Sequence, residues 1–133
     1  MDICSPAESP ESWNGALICI AEMLRQRLVL KQSMKQVIDI IIHGFQNHFT
    51  KLGNIVRDAC CFCAWSIARS YSGTEIGESE VISIAANLLA LSCLDRDISI
   101  RRCAAAAFQE MAGRLKSRFI PEAIKCASLV DYY

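Results

Sequence analysis

The sequence predicts an all-α fold, a solenoid of stacked helical hairpins, and three observations carry that prediction. Apolar residues recur at helical spacing along most of the chain, and no segment shows the strict alternation of an amphipathic strand. Hydrophobic residues make up 53% but aromatics only 8%, an Ala, Ile, Leu and Cys mixture that suits close-packed helices better than a sandwich or barrel. Blocks of similar residues also recur at a fixed interval.

The elements follow in order. Ser9-Pro10-Glu11 combines a cap residue, a proline at the first helical position and an acid in the first turn. Trp13, Ala16, Leu17, Ile20, Ala21 and Leu24 then keep helical spacing. A second helix is expected from Ser33, which with Gln36 forms a capping-box pattern; its apolar face is Met34, Val37, Ile38, Ile41 and Ile42. The stretch HGFQNHFTKLGN reads as a frayed end and a loop. Asn54 is expected to cap a third helix, from about Ile55 to Ser70. A loop with Gly73 and Gly77 leads to a fourth, about 79 to 93. Asp95-Arg96-Asp97 is a tight connection in which Asp97 caps a fifth helix running to about 115, and Pro121 opens a sixth. Residues 1–8 are expected to be poorly ordered, and 9–133 to form one helical segment.

IVRDAC at 55 to 60 recurs as SIRRCA at 99 to 104, 44 residues later, and SWNGAL at 12 to 17 precedes the first by 43. Helix pairs at this period fall in the roughly 40 to 47-residue window of HEAT and armadillo repeats. One hairpin has too little core alone, so neighbours stack and bury a continuous seam. The small residues Ala104, Ala105, Ala106 and Ala107 favour close helix approach. The expected architecture is therefore an α-solenoid of HEAT/armadillo-like helical hairpins, about two and a half to three repeats and five to six helices. Neither end reads as a polar cap, which implies a piece of a longer array.

Function classes narrow quickly. Fourteen basic and fourteen acidic side chains balance, so nothing steers the whole molecule toward nucleic acid or an anionic membrane. The N-terminus MDICSPAESPESW lacks the basic and apolar regions of a secretory signal. The apolar stretch VISIAANLLALSCL is shorter than the roughly 20 residues a crossing helix needs. The expected compartment is reducing and cytoplasmic, with the eight cysteines as thiols behaving like small hydrophobes.

The cluster Cys60, Cys61 and Cys63 tests that reading. Cys60 and Cys63 share a helix face, but a structural zinc site needs four ligands, usually as two pairs, and no second C-x-x-C exists. Cys93, Cys103, His43 and His48 are scattered singly. A thioredoxin-like motif needs a preceding strand and a position at the helix start, and neither applies. The cysteines are read as packing residues, with metal: none and cofactors: none. There is no Gly-rich phosphate loop, G-x-S-x-G or H-E-x-x-H, so no enzyme is expected.

Polar residues at repeat positions carry the remaining information. Arg57 and Arg101 are equivalent in the repeat, and Asp58, Asp95 and Asp97 lie near in sequence. The first reading is a set of Arg–carboxylate contacts between adjacent repeats; the alternative is a partner-binding ridge. Residues 101 to 118 hold Arg101, Arg102, Arg114, Lys116 and Arg118 against Glu110. Few aromatics interleave there, so an acidic protein partner fits this stripe better than nucleic acid. Trp65→Ala is expected to cost about 3 to 5 kcal/mol if Trp65 is buried between repeats, and Cys61→Ala to be mild.

The stretches NIVRDACCFCAWSIARSY, LDRDISIRRCAAAAFQEMAGR and SLVDYY together resemble the tubulin-folding cofactor D family, as does SWNGALICIAEML near the start. The first stretch matches at Arg57, Asp58, Ala59, Cys61, Trp65, Ala68, Arg69 and Tyr71. The second matches at Asp95, Arg96, Arg101, Arg102, Ala104, Ala107, Phe108, Gln109, Glu110, Gly113 and Arg114, and the last at Asp131 and Tyr132. The resemblance covers about 13 to 133, strongest at 101 to 114. It implies a HEAT/armadillo-like chaperone that receives β-tubulin after the cytosolic chaperonin and holds it for pairing with α-tubulin. The implied partners are β-tubulin, tubulin cofactors C and E and an ARF-like small GTPase. Stimulation of tubulin GTP hydrolysis is implied only for the assembled cofactor complex. The implied localisation is cytoplasmic, with association with the cytoskeleton. The candidate partner-binding or inter-repeat residues are Arg57, Asp58, Arg69, Asp95, Arg96, Arg101, Arg102, Gln109, Glu110 and Arg114. The sequence departs from the family after Arg114, where LKSRFIPEAIKC places Glu122-Ala123 against the family's His-Gly. A generic HEAT-repeat scaffold for other cargo is the competing reading.

Overall fold

The computed structural model describes residues 9–47, 53–71 and 76–115. Among these, the secondary structure is helical: α1 (Pro10–Arg25), α2 (Lys31–Asn47), α3 (Asn54–Ser70), α4 (Glu78–Leu94) and α5 (Ile98–Leu115). The expected sixth helix from Pro121 and the expected disorder of 1–8 fall outside the described residues.

Local chemistry accounts for most boundaries. The Ser9 hydroxyl accepts from Ser12 N–H at 3.2 Å, with Pro10 locking the first φ. Asp97 starts α5 by accepting from Ser99 N–H at 2.8 Å, and it accepts a further bond, from the Asn54 amide, at 3.5 Å. These bonds hold its carboxyl below the ordinary carboxylate range. The first helix closes at a 6→1 bond from Leu28 N–H to Met23 C=O, with Arg27 in the left-handed region at φ 58°. That is a Schellman termination with arginine where glycine is usual.

Three boundaries differ from the sequence expectation. The second helix begins at Lys31, two residues before Ser33, and Ser33 N–H is taken by the Leu30 carbonyl at 2.9 Å; no capping box is needed there. It also runs on through His43 and Gly44 to Asn47, because Phe45 is buried against the core, 1% exposed. At α3 the cap position is Gly53. Asn54 is the first helical residue, and its side chain reaches across to Asp97.

The helices stack in two layers. α3 packs between α1 and α5, while α2 and α4 pack on each other and against α3 and α5 respectively. The side chains that bridge neighbouring repeats record the period. The Asn14 amide donates to Ile55 C=O, Cys63 Sγ to Leu17 C=O and Tyr71 OH to Val29 C=O. These pairs lie 41, 46 and 42 residues apart, and Asn54–Asp97 and Arg69–Glu110 link α3 to α5 in the same register, so α1, α3 and α5 run parallel at the same height. One continuous apolar core joins the layers, with Trp13, Leu17, Ile38, Ile41, Ile67, Ile84, Leu88 and Met111 essentially inaccessible.

The small-residue runs let α3 and α5 come close. Ala59, Ala64, Ala68, Ala104 and Ala107 are buried. Ala106 is exposed, since one face of α5 is open to solvent. α2 comes close to α3 at Gly44, where a β-carbon would run into the Sγ of Cys60.

Candidate partner-binding face

Packing on three sides leaves α3 a narrow accessible stripe. Val56, Ala59, Cys60, Cys61, Cys63, Ala64, Ser66, Ile67 and Ala68 are buried, while Asp58, Phe62 and Arg69 are exposed and Trp65 is half-buried. Positions 58, 62, 65 and 69 recur at the i, i+4, i+7 spacing of one helix face. Phe62 stacks on Trp65 with centroids 6.0 Å apart, and the Arg69 guanidinium lies 4.9 Å over the indole. Trp65 is thus half-buried at the edge of the core with one face covered by a cation; it is not fully enclosed between repeats as the expected large truncation cost requires.

Asp58, Cys61, Phe62 and Trp65 form the floor of a groove across three parallel helices. Ile18 and Glu22 of α1 border one side, and Cys103 and Ala106 of α5 the other. Its volume is about 530 Å³. Two carboxylates face it. Glu22 is bound by Arg25, at 2.5 Å, and by the Gln26 amide at 2.9 Å. The Arg25 bond is the larger cause that holds its carboxyl down at about 2. Asp58 lies beside the Cys103 thiol, and burial followed by this carboxylate pushes that thiol up. At the C-terminal end, Glu110 is shared by Arg69, 3.6 Å away, and by Arg114 one turn along α5.

The ten candidate residues therefore separate into an interior set, a groove-side set and a set exposed elsewhere. Arg57 and Asp95 are interior: Arg57 Nε donates to Asp95 Oδ2 at 2.6 Å and Nη2 to Oδ1 at 3.1 Å. Arg101, its repeat equivalent, donates to the Asp95 backbone carbonyl at 2.9 Å. These three tie α3 to the α4–α5 turn. Asp58, Arg69, Glu110 and Arg114 lie on or beside the groove, and Arg102 and Gln109 are exposed elsewhere on α5. Arg96 is exposed in the α4–α5 turn. In the described part of the basic stripe expected on 101 to 118, Arg101 turns inward, Arg102 is exposed and Arg114 is engaged by Glu110; Lys116 and Arg118 lie outside the described residues.

Sequence reasoning missed Ile18, Glu22, Phe62 and Cys103 as neighbours. The 58, 62, 65, 69 periodicity could have exposed the α3 stripe, but the flanking residues come together only through the stacking of repeats.

The cysteines of α3 are interior. Cys60 and Cys63 are fully buried and Cys61 is 2% exposed. Burial, chiefly, pushes the Cys61 thiol far above its ordinary value, which disfavours the thiolate that metal binding or disulfide exchange uses. Among the described residues, no three His, Cys, Asp or Glu side chains are grouped to hold a metal ion. His43 stacks on Trp13 at 5.3 Å, a packing contact; His48 lies outside the described residues. No helix among the described residues is long and apolar enough to cross a membrane.

Comparison with known proteins agrees with this architecture. Residues 1–124 match the family model of tubulin-specific chaperone D-like armadillo repeats. The chain is 32% identical to a tubulin-specific chaperone D of Dictyostelium discoideum over 93% of its length, and 30% identical to a tubulin-folding cofactor D of Schizosaccharomyces pombe over the same share. It spans about 8% and 11% of those two relatives. No solved structure matches it. With its parallel stack of repeat helices and a match over nearly its whole length, the chain belongs to the tubulin-specific chaperone D-like armadillo-repeat family.

Proposed function

We propose that this chain is a tubulin-folding cofactor D-like scaffold segment that binds β-tubulin during post-chaperonin folding and heterodimer assembly. The family match across residues 1–124 carries the reading. The geometry supports it physically, since a stack of parallel helices presents a broad rigid surface suited to holding a large protein. The role is one of binding, and the α1–α3–α5 face offers aromatics and paired charges for it. Cooperation with tubulin cofactors C and E and an ARF-like small GTPase, and stimulation of tubulin GTP hydrolysis by the assembled complex, belong to the same reading. So does a cytoplasmic location with cytoskeletal association.

A graft tests the proposal. The Dictyostelium relative with its matched residues deleted should lose capture of β-tubulin released by the chaperonin. Grafting this chain into the gap should restore it. A graft that folds yet captures no β-tubulin would favour the other reading, a generic HEAT-repeat scaffold for different cargo.

A further inference from the structure

The groove on α1, α3 and α5 has a charge pattern that selects its occupant. Three carboxylates lie on or near it, and two are already neutralised, Glu22 by Arg25 and Glu110 by Arg69 and Arg114. Asp58 is exposed, makes no salt bridge with any described residue, and has the Cys103 thiol as its hydrogen-bond neighbour. Beside it lie Phe62, 38% exposed, and Ile18, 45% exposed. Apolar surface next to a carboxylate that pairs with no described cation recognises an apolar side chain together with a cation. At the groove's end Arg69 and Arg114 share the one carboxylate of Glu110, so an acidic segment there would have to compete with Glu110. Arg69 already covers a face of Trp65, which directs an incoming cation to Asp58 and not to the indole. The volume of about 530 Å³ lies within the roughly 300 to 1,000 Å³ of pockets that bury a ligand's apolar groups around a few polar anchors.

We propose that this groove docks an amphipathic, Lys- or Arg-bearing segment of a protein partner, its apolar side chains lying on Phe62 and Ile18 and its basic side chain pairing with Asp58. The occupant is defined by chemistry and holds whether the cargo is tubulin or another protein. A partner of this kind gains apolar contact and an ion pair at the edge of a low-dielectric groove, where the charge governs specificity more than affinity.

The test uses the intact chain and two fluorescein-labelled helical peptides of equal length, one of Leu and Lys and one of Leu and Glu, followed by anisotropy. The Leu/Lys peptide should bind and the Leu/Glu peptide should not. Asp58→Lys should weaken binding by about tenfold or more, whereas Asp39→Lys should change it less than about twofold. The control makes the same charge change on the exposed side of α2, away from the groove. Phe62→Ala should weaken binding about fivefold, and circular dichroism should show both groove variants as helical as the parent. Equal losses for Asp58→Lys and Asp39→Lys would overturn the proposal as diffuse electrostatics. Preference for the Leu/Glu peptide, or no binding of either, would overturn it as well. Failure of the tubulin graft leaves these outcomes unchanged, so the two readings fail separately.

Discussion

Arg57 and Asp95 form a two-point ion pair inside the molecule, with side chains only 7% and 2% exposed and separations of 2.6 and 3.1 Å. The pair joins α3 to the turn between α4 and α5, across one repeat boundary. Asp95 also accepts from Asp97 N–H at 3.0 Å, so one carboxylate shapes the turn and receives the guanidinium. Removing one partner strands a buried charge. Arg57→Met or Asp95→Ala should each destabilise the chain by about 3 to 5 kcal/mol, while the double variant should cost much less than their sum. Urea unfolding of the four proteins checks this. Additive losses would mean that the two groups are not coupled.

The close approach of α2 to α3 at Gly44 makes a second prediction. Gly44→Ala sets a β-carbon against Cys60 Sγ, and Cys60 is immobilised in the core at 0% exposure. Overpacking of this kind costs about 1 to 3 kcal/mol. Cys60→Ala should relieve the clash, so Gly44→Ala/Cys60→Ala should be more stable than Gly44→Ala alone. Thermal unfolding of the three variants would show the reversal, and no recovery in the double variant would place the fault in the helix backbone.

The two tryptophans should respond differently. Trp13 is 1% exposed in the core and stacks on His43, so Trp13→Ala should cost about 3 to 5 kcal/mol. Trp65 stands on the groove floor with Phe62 and Arg69. Its truncation loses the stacking on Phe62, one cation–π contact and partial packing against the core, together about 1 to 3 kcal/mol and less than the Trp13 loss. Denaturant midpoints that rank Trp65→Ala as the more damaging change would contradict this assignment.

Much of this arrangement could be read from residue spacing. The period was legible because equivalent residues do equivalent work: Asn14 and Arg57, which align under it, both reach into the next repeat. Asp97 announced a helix start because a short acceptor before an apolar run has few other uses. The end of α2 was hidden, since Gly44 in HGFQNH reads as a break. Its reason is tertiary, the absence of a β-carbon facing Cys60. The partner of Arg57 was equally hidden. Asp58, Asp95 and Asp97 are all near it in sequence or repeat register, and only the fold turns Asp58 outward to solvent and Asp95 inward. The groove needs three helices at once, and no single segment carries its outline.

The α1–α2 connection makes the last prediction. Arg27 holds φ 58° to complete the helix termination, a conformation that costs an L-residue about 1 kcal/mol relative to glycine. Arginine is retained there through its side chain, which donates to the Ser70 carbonyl and lies 4.9 Å over the Tyr71 ring. It thereby fastens the end of α1 to the end of α3. Arg27→Ala keeps the unfavourable backbone and loses both contacts, so it should cost about 1 to 2 kcal/mol. Arg27→Gly loses the same contacts but relieves the backbone, and should recover about 1 kcal/mol of that loss. The melting temperatures should therefore fall in the order parent, Arg27→Gly, Arg27→Ala. An alanine variant as stable as the glycine variant would show that the left-handed turn is not retained when the side chain is cut back, and that Arg27 imposes the turn through its contacts with α3.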